Sequence, residues 1–159
     1  MLGSEGLLLV RNRRRNGRHD WSPPGGVIDE GETLLGGLTR EVREETGIEV
    51  VTWSEPVYVI EADAPGMGWH LRVEAHLALE YSGSLHVDDP DGIVDDARFV
   101  DLDECEQHLV GNHRWVREPP SEWLTERWNE QRRYHYRIDG AAPAEVVVIR
   151  DHYEGDPLP

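Results

Sequence analysis

Residues 26–48 read GVIDEGETLLGGLTREVREETGI, and the spacing within this stretch decides the fold. A Pro-Gly-Gly turn (Pro24, Gly25, Gly26) leads into it and Gly47 closes it. At about 3.6 residues per turn, positions i, i+3 and i+4 share one side of a helix. Glu41, Glu44 and Glu45 therefore form one carboxylate patch. Like charges this close repel unless a cation sits among them, and clustered carboxylate oxygens suit the hard cations Mg²⁺ and Mn²⁺. Thr33 is placed to cap the helix, with Glu30 and Glu32 near the positive end of its dipole. Leu34, Leu38 and Val42 form an apolar stripe, and Gly47 suits a left-handed C-terminal stop. Gly36 and Gly37 oppose the helix by about 1 kcal/mol each. Either the helix is regular only from about Leu38, or the glycines allow close packing against a neighbour.

On these residues the stretch resembles the signature of the Nudix hydrolases. Gly26, Glu32, Arg40, Glu41, Val42, Glu44, Glu45, Gly47 and Ile48 fill every fixed place of that pattern. A surface helix with three solubilising glutamates explains neither the preceding turn nor the spacing back to Glu32. The resemblance implies an α/β fold, a Nudix-type α/β/α sandwich with a mixed β-sheet, the box helix against one face and a C-terminal helix against the other. It implies Mg²⁺-dependent cleavage of a diphosphate bond, Mn²⁺ substituting. Glu44 and Glu45 become principal metal ligands, Glu41 a ligand or base, and the Gly26 carbonyl a further ligand. Arg40 pairs with a box glutamate, and Glu32 supports the loop–helix junction or reaches the metal or substrate.

The first substrate implied is a nucleoside triphosphate, oxidised guanine forms included. The alternative is ADP-ribose or a nucleotide sugar, towards which Pro65 points, lying near a proline found after the box in ADP-ribose-cleaving members. A nucleotide-sensing domain without catalysis is a third reading, opposed by the full set of box glutamates. A structural interaction module is a fourth, leaning on the C-terminal tryptophans.

The rest of the chain sets limits. Its 159 residues suit a single domain, read as 1–153 with a tail at 154–159. The formal charge is −16, and all 16 basic residues are arginine. A nucleic acid polymer needs a broad basic face and is disfavoured; a small phosphorylated substrate is not. A single cysteine, Cys105, rules out an intrachain disulfide and a multi-cysteine zinc site. No apolar run approaches the ~20 residues that span a membrane, and no secretory signal is read, so the expectation is a soluble cytoplasmic protein.

In chain order, residues 6–11 (GLLLVR) read as a buried strand. Only five residues precede it, so the neighbouring strand implied by the resemblance is in doubt. Residues 11–18 (RNRRRNGR) form a basic loop, with Arg11 a candidate substrate contact and a solvated loop the alternative. Trp21 reads as a core plug. Residues 49–53 and 56–63 are strand-like, 64–68 a turn, and 69–81 one long strand with His70, Arg72, Glu74 and His76 on a wet face. The acidic loop 82–96 precedes a strand at 97–100, and Asp95 or Asp96 is the candidate additional acid. A short helix follows at 101–109. Residues 120–150 are read as an amphipathic helix capped by Ser121, with Trp123, Leu124 and Trp128 on one side, and then a hairpin across DGAAPA. That region completes the sheet, covers the pocket or forms a homodimer surface.

Overall fold

The computed structural model describes residues 2–3, 6–141 and 145–151. The tail at 154–159 and residues 142–144 of the DGAAPA turn lie outside the described residues. The elements run β1 (Leu2–Gly3), β2 (Gly6–Arg13), β3 (His19–Ser22), α1 (Leu34–Thr46), β4 (Ile48–Trp53), β5 (Tyr58–Ala64), a 3-10 turn (Pro65–Met67), β6 (Trp69–Ala75) and β7 (Ala78–Gly83). They continue with β8 (Val94–Val100), α2 (Leu102–Leu109), α3 (Arg114–Glu126), β9 (Arg132–Asp139) and β10 (Val147–Asp151). This is the expected mixed α/β fold. Its residues group into two compact units, Met1–Glu55 with His76–Asn112 and Pro56–Ala75 with His113–Pro159.

In the first unit β2 is central, pairing antiparallel with β1, β3 and β8. Leu7 to Val10 are all buried, as a run covered on both faces requires. The strand in doubt is present as a two-residue ladder, Leu2 opposite Leu7 and Gly3 opposite Gly6. The basic loop is partly strand, since β2 continues to Arg13. A second sheet pairs β4 with β7. Leu8, Val42, Ile48, Val50 and Ala78 form a core against which Leu38, Trp53, Tyr81 and Phe99 pack.

Helix α1 starts at Leu34, so Gly36 and Gly37 lie inside it. The Thr33 hydroxyl accepts from the Gly36 N–H at 3.1 Å. Gly37 answers the packing alternative: a Cβ there would stand 2.8 Å from Ile28 Cδ1 and 2.9 Å from Glu32 Oε2. Gly47 ends the helix at φ 73° and donates to the Arg43 carbonyl at 2.8 Å, as a left-handed stop should.

In the second unit the sheet order is β10-β9-β5-β6. β5 and β9 run parallel and the other pairs antiparallel, which makes this sheet mixed. Tyr134, Tyr136 and Ile138 alternate inward along β9, and α3 packs against β5, β9 and β10.

Three sequence expectations are corrected here. Residues 69–81 are two strands, not one. Ser54 draws the chain aside between them: its N–H donates to the Leu77 carbonyl, its hydroxyl accepts from the Leu77 N–H, and its carbonyl meets His76 Nδ1, all at 2.9 Å. The strand beginning at 97 begins instead at Val94. The C-terminal helix runs Arg114–Glu126, with Pro119 and Pro120 in its interior and Ser121 within it rather than capping it. Each proline forgoes a helical hydrogen bond, yet both rings are buried, and that apolar burial opposes the loss. The helix stops at Arg127 in the left-handed region, φ 51°, its guanidinium stacked 4.4 Å from the Trp123 ring. Trp128 is therefore outside the helix, donating to the Val57 carbonyl at 2.9 Å.

Candidate active site

The box residues converge in the first unit, and Arg40 is their hub. Its Nε and Nη2 reach the two oxygens of Glu32, each at 3.0 Å. Its Nη1 reaches Glu41 Oε1 at 3.0 Å and Glu44 Oε2 at 3.2 Å. Such forked, charge-assisted contacts fix the acids' orientation. The Arg40 guanidinium, helped by the Asp29 N–H at 3.2 Å, holds Glu32 below the usual carboxylate range. The same acids keep Arg40 firmly protonated.

Glu45 stands apart from this pairing. It is 9% exposed, and its Oε2 accepts from the Gly25 N–H at 2.9 Å, tying the Pro-Gly-Gly turn to the helix. Burial pushes its carboxyl up to about 8; the Gly25 contact opposes this, while the charges of Glu41, Asp89 and Glu44 add to it. Gly26 leaves room for the Glu41 carboxylate, which a Cβ would approach to 2.6 Å.

The oxygen donors suit a hard divalent cation. Glu41 Oε2, Glu44 Oε1 and Glu45 Oε1 have no hydrogen bond among the described residues. Each acid thus keeps one uncommitted oxygen. No group of three or more His, Cys, Asp and Glu among the described residues stands ready in metal-ligating geometry. Arg40 spans Glu41 and Glu44, so gathering the acids on one ion takes side-chain rotation. Glu41, Glu44 and Glu45, each with one oxygen uncommitted among the described residues, are the side chains that could hold such an ion.

Arg11, Asp95 and Asp96 come together elsewhere in this unit. Arg11 Nε lies 2.6 Å from Asp95 Oδ1, and His19 Nε2 lies 3.1 Å from Asp95 Oδ2. Asp96 sits 3.9 Å from Arg11 Nη1 and also pairs with Arg98. Both acids lie within β8 rather than before it, and no ion pair joins Arg11 to a box glutamate among the described residues. Trp21 is half-buried under Arg98, 4.8 Å from the guanidinium to its ring. The loop acid whose charge bears on Glu45 is Asp89, which the sequence reading passed over. Its carboxylate accepts from the Asp91, Ile93 and Val94 N–H groups at 2.7–3.0 Å; the Asp-Pro-Asp-Gly turn beginning there was the available signal.

A carboxylate-rich helix organised by one arginine on an α/β scaffold presents oxygen donors of the kind a hard cation takes. A NUDIX domain profile matches residues 1–124, and the chain belongs to the Nudix family of hydrolases. Human 8-oxo-dGDP phosphatase NUDT18 is 33% identical over 63 residues, 40% of this chain and 18% of that protein. Mouse asymmetrical bis(5'-nucleosyl)-tetraphosphatase is 56% identical over 45 residues, 28% of this chain and 29% of that protein. These matches thus span less than a third of either curated relative. The fold is shared with a mutator MutT protein from Bacillus halodurans, with TM-score 0.61 and 20% identity over 93% of this chain and 91% of that one. The E. coli ORF135 protein gives TM-score 0.63 and 21% identity, over 80% and 88% respectively. Enzymes of this family generally use a divalent metal. No helix among the described residues is long and apolar enough to cross a membrane.

Proposed function

We propose that this chain is a Mg²⁺-dependent pyrophosphohydrolase that cleaves a diphosphate bond in a nucleoside triphosphate, oxidised guanine forms included, with Mn²⁺ able to substitute. The observation that carries the reading is the Arg40-centred cluster of Glu32, Glu41 and Glu44 beside the buried Glu45. A bound divalent cation neutralises phosphate oxygens and lowers the pKa of a coordinated water. The protein's part is orientation. Arg40 fixes Glu41 and Glu44, Glu32 fixes Arg40, and the Gly25 N–H fixes Glu45. Glu45 gives up its proton to join the site, so cation binding and deprotonation are linked. The 8-oxo-dGDP phosphatase and tetraphosphatase relatives favour a nucleotide with more than one phosphate.

Product analysis tests this. Normal and oxidised dNTPs, the matching diphosphates, ADP-ribose, nucleotide sugars and dinucleoside polyphosphates are incubated with Mg²⁺, with Glu45→Gln and a chelator as controls. Monophosphate plus pyrophosphate from a triphosphate is the expected result. AMP plus ribose 5-phosphate from ADP-ribose alone would replace this substrate assignment, and nucleotide binding without turnover would make the domain a sensor.

A further inference from the structure

We infer that Trp53 is a positioning residue for the box, its indole N–H setting the roll of α1 and so the placement of Glu41, Glu44 and Glu45 for a divalent cation; this rests on the hydrolase reading above. Trp53 ends β4 and packs, with Leu38, against the core of the first unit. Its Nε1 donates to the Thr39 hydroxyl at 2.9 Å, and that hydroxyl donates in turn to the Leu35 carbonyl at 2.8 Å. The Thr39 rotamer is thereby held from two directions. The indole is held as well. The His76 ring meets it edge to face, centroids 6.5 Å apart and planes at 73°, and His76 Nδ1 lies 2.9 Å from the Ser54 carbonyl. All of these residues belong to the first unit.

What this bond adds is direction. The Leu38 and Val42 contacts under α1 are apolar, and apolar contact sets no angle about the helix axis. At about 100° per residue, Thr39 lies on one flank of the Leu38–Val42 stripe, and Glu41 and Glu45 lie on the other. A roll about that stripe that lifts Thr39 from β4 therefore shifts both acids the opposite way. Arg40, the next residue, moves with Thr39 and carries its grip on Glu32, Glu41 and Glu44 along. At the ~5–6 Å radius of helical side chains a roll of about 10° moves an atom about 1 Å, whereas metal–ligand distances tolerate about 0.2 Å. The close approach of Gly37 to Ile28 and Glu32 fixes α1 on the loop side. The His86 and Asp88 N–H groups hold the Thr46 and Glu44 carbonyls of its last turn. Trp53 holds its middle on the β4 side.

The test separates the hydrogen bond from packing. Trp53→Phe keeps an aromatic ring and removes the N–H, Thr39→Val keeps the shape and removes the hydroxyl, and Thr39→Ser keeps the hydroxyl. Cys105→Ala, at a buried place in α2, is the control for destabilisation alone. Each variant is titrated calorimetrically with Mn²⁺ alone, melted in chelator, and assayed for kcat and KM on a nucleoside triphosphate with Mg²⁺. Trp53→Phe and Thr39→Val should each weaken Mn²⁺ binding roughly tenfold, the lower end of what losing an outer support of a metal site costs. Each should lower kcat with little change in KM, and the double variant should be no worse than the worse single. Thr39→Ser should bind Mn²⁺ as wild type does, and so should Cys105→Ala despite a lower melting temperature. Unchanged Mn²⁺ affinity in Trp53→Phe, a Thr39→Ser as weak as Thr39→Val, or an equal loss in Cys105→Ala would overturn the inference. If wild type binds Mn²⁺ but turns over no nucleotide, the hydrolase reading fails, while the Mn²⁺ comparison still decides the role of Trp53. A wild type that binds no Mn²⁺ would overturn both.

Discussion

Replacing Glu45 by Gln exposes the energetic conflict at the centre of this site. The Glu45 carboxyl is 9% exposed, and burial, with the nearby charges of Glu41, Asp89 and Glu44, pushes it up to about 8 from 4.5. The unfolded chain ionises this group near 4.5, whereas the metal-free fold keeps it protonated to about 8. The stability it contributes is therefore fully present below about 4.5 and is withdrawn as pH rises to about 8. At about 1.4 kcal/mol per pH unit, the withdrawal amounts to at most about 4–5 kcal/mol. Glutamine keeps the volume, and its carbonyl accepts from the Gly25 N–H, but it cannot ionise. In chelator, Glu45→Gln should match wild type near pH 4.5 and exceed it by up to about 4 kcal/mol at pH 8, read from urea unfolding across that range. Saturating Mg²⁺ should stabilise wild type more than the variant and release a proton on binding. A stability difference that stays constant from pH 4.5 to 8 would refute the reasoning.

Four further substitutions probe the surroundings. Gly26→Ala puts a methyl 2.6 Å from the Glu41 carboxyl carbon, so the side chain must swing away; metal affinity by calorimetry should fall roughly 10- to 100-fold with little change in melting temperature. Gly47→Ala meets the Ser84 and His86 carbonyl oxygens at 2.8 and 2.9 Å with φ at 73°, and should lose about 2–3 kcal/mol in urea unfolding. Tyr134→Phe removes the 2.9 Å bond to Glu122, which keeps its Arg150 partner; a loss of about 1 kcal/mol is expected by the same assay. Asp89→Asn removes one of the charges that raise Glu45 and should move the pH-dependent stability change to lower pH, the amide costing a further ~1 kcal/mol by accepting through only one oxygen.

How far the sequence could be read followed the range of the forces involved. Within 26–48 the information is local: helical periodicity groups the glutamates, Thr33 and Gly47 bound the helix, and the Arg40 pairing follows from one-turn spacing. Where the outcome depended on partners distant in sequence, local pattern misled. The alternation across 69–81 is genuine, yet Ser54 divides it, and the signal lay 23 residues before Leu77 in the Ser54-Glu55-Pro56 interruption of the facing strand run. Pro119-Pro120 reads as a helix start because a first-turn proline loses nothing, but a helix already begun at Arg114 carries both rings inside.

The same division explains the acids. Five aspartates between 88 and 96 are alike in composition, and their roles differ through contacts that strand pairing creates. β2 pairs with β8, bringing Arg11 to Asp95 and Asp96 and satisfying both with cations. Asp89 stays in the loop before β8, and its charge acts on Glu45. Arg11 holds Asp95 and Asp96 in ion pairs, whereas Asp89 adds its charge to those that raise the proton affinity of the buried Glu45. By that measure Asp89, rather than Asp95 or Asp96, is the loop acid whose charge reaches Glu45.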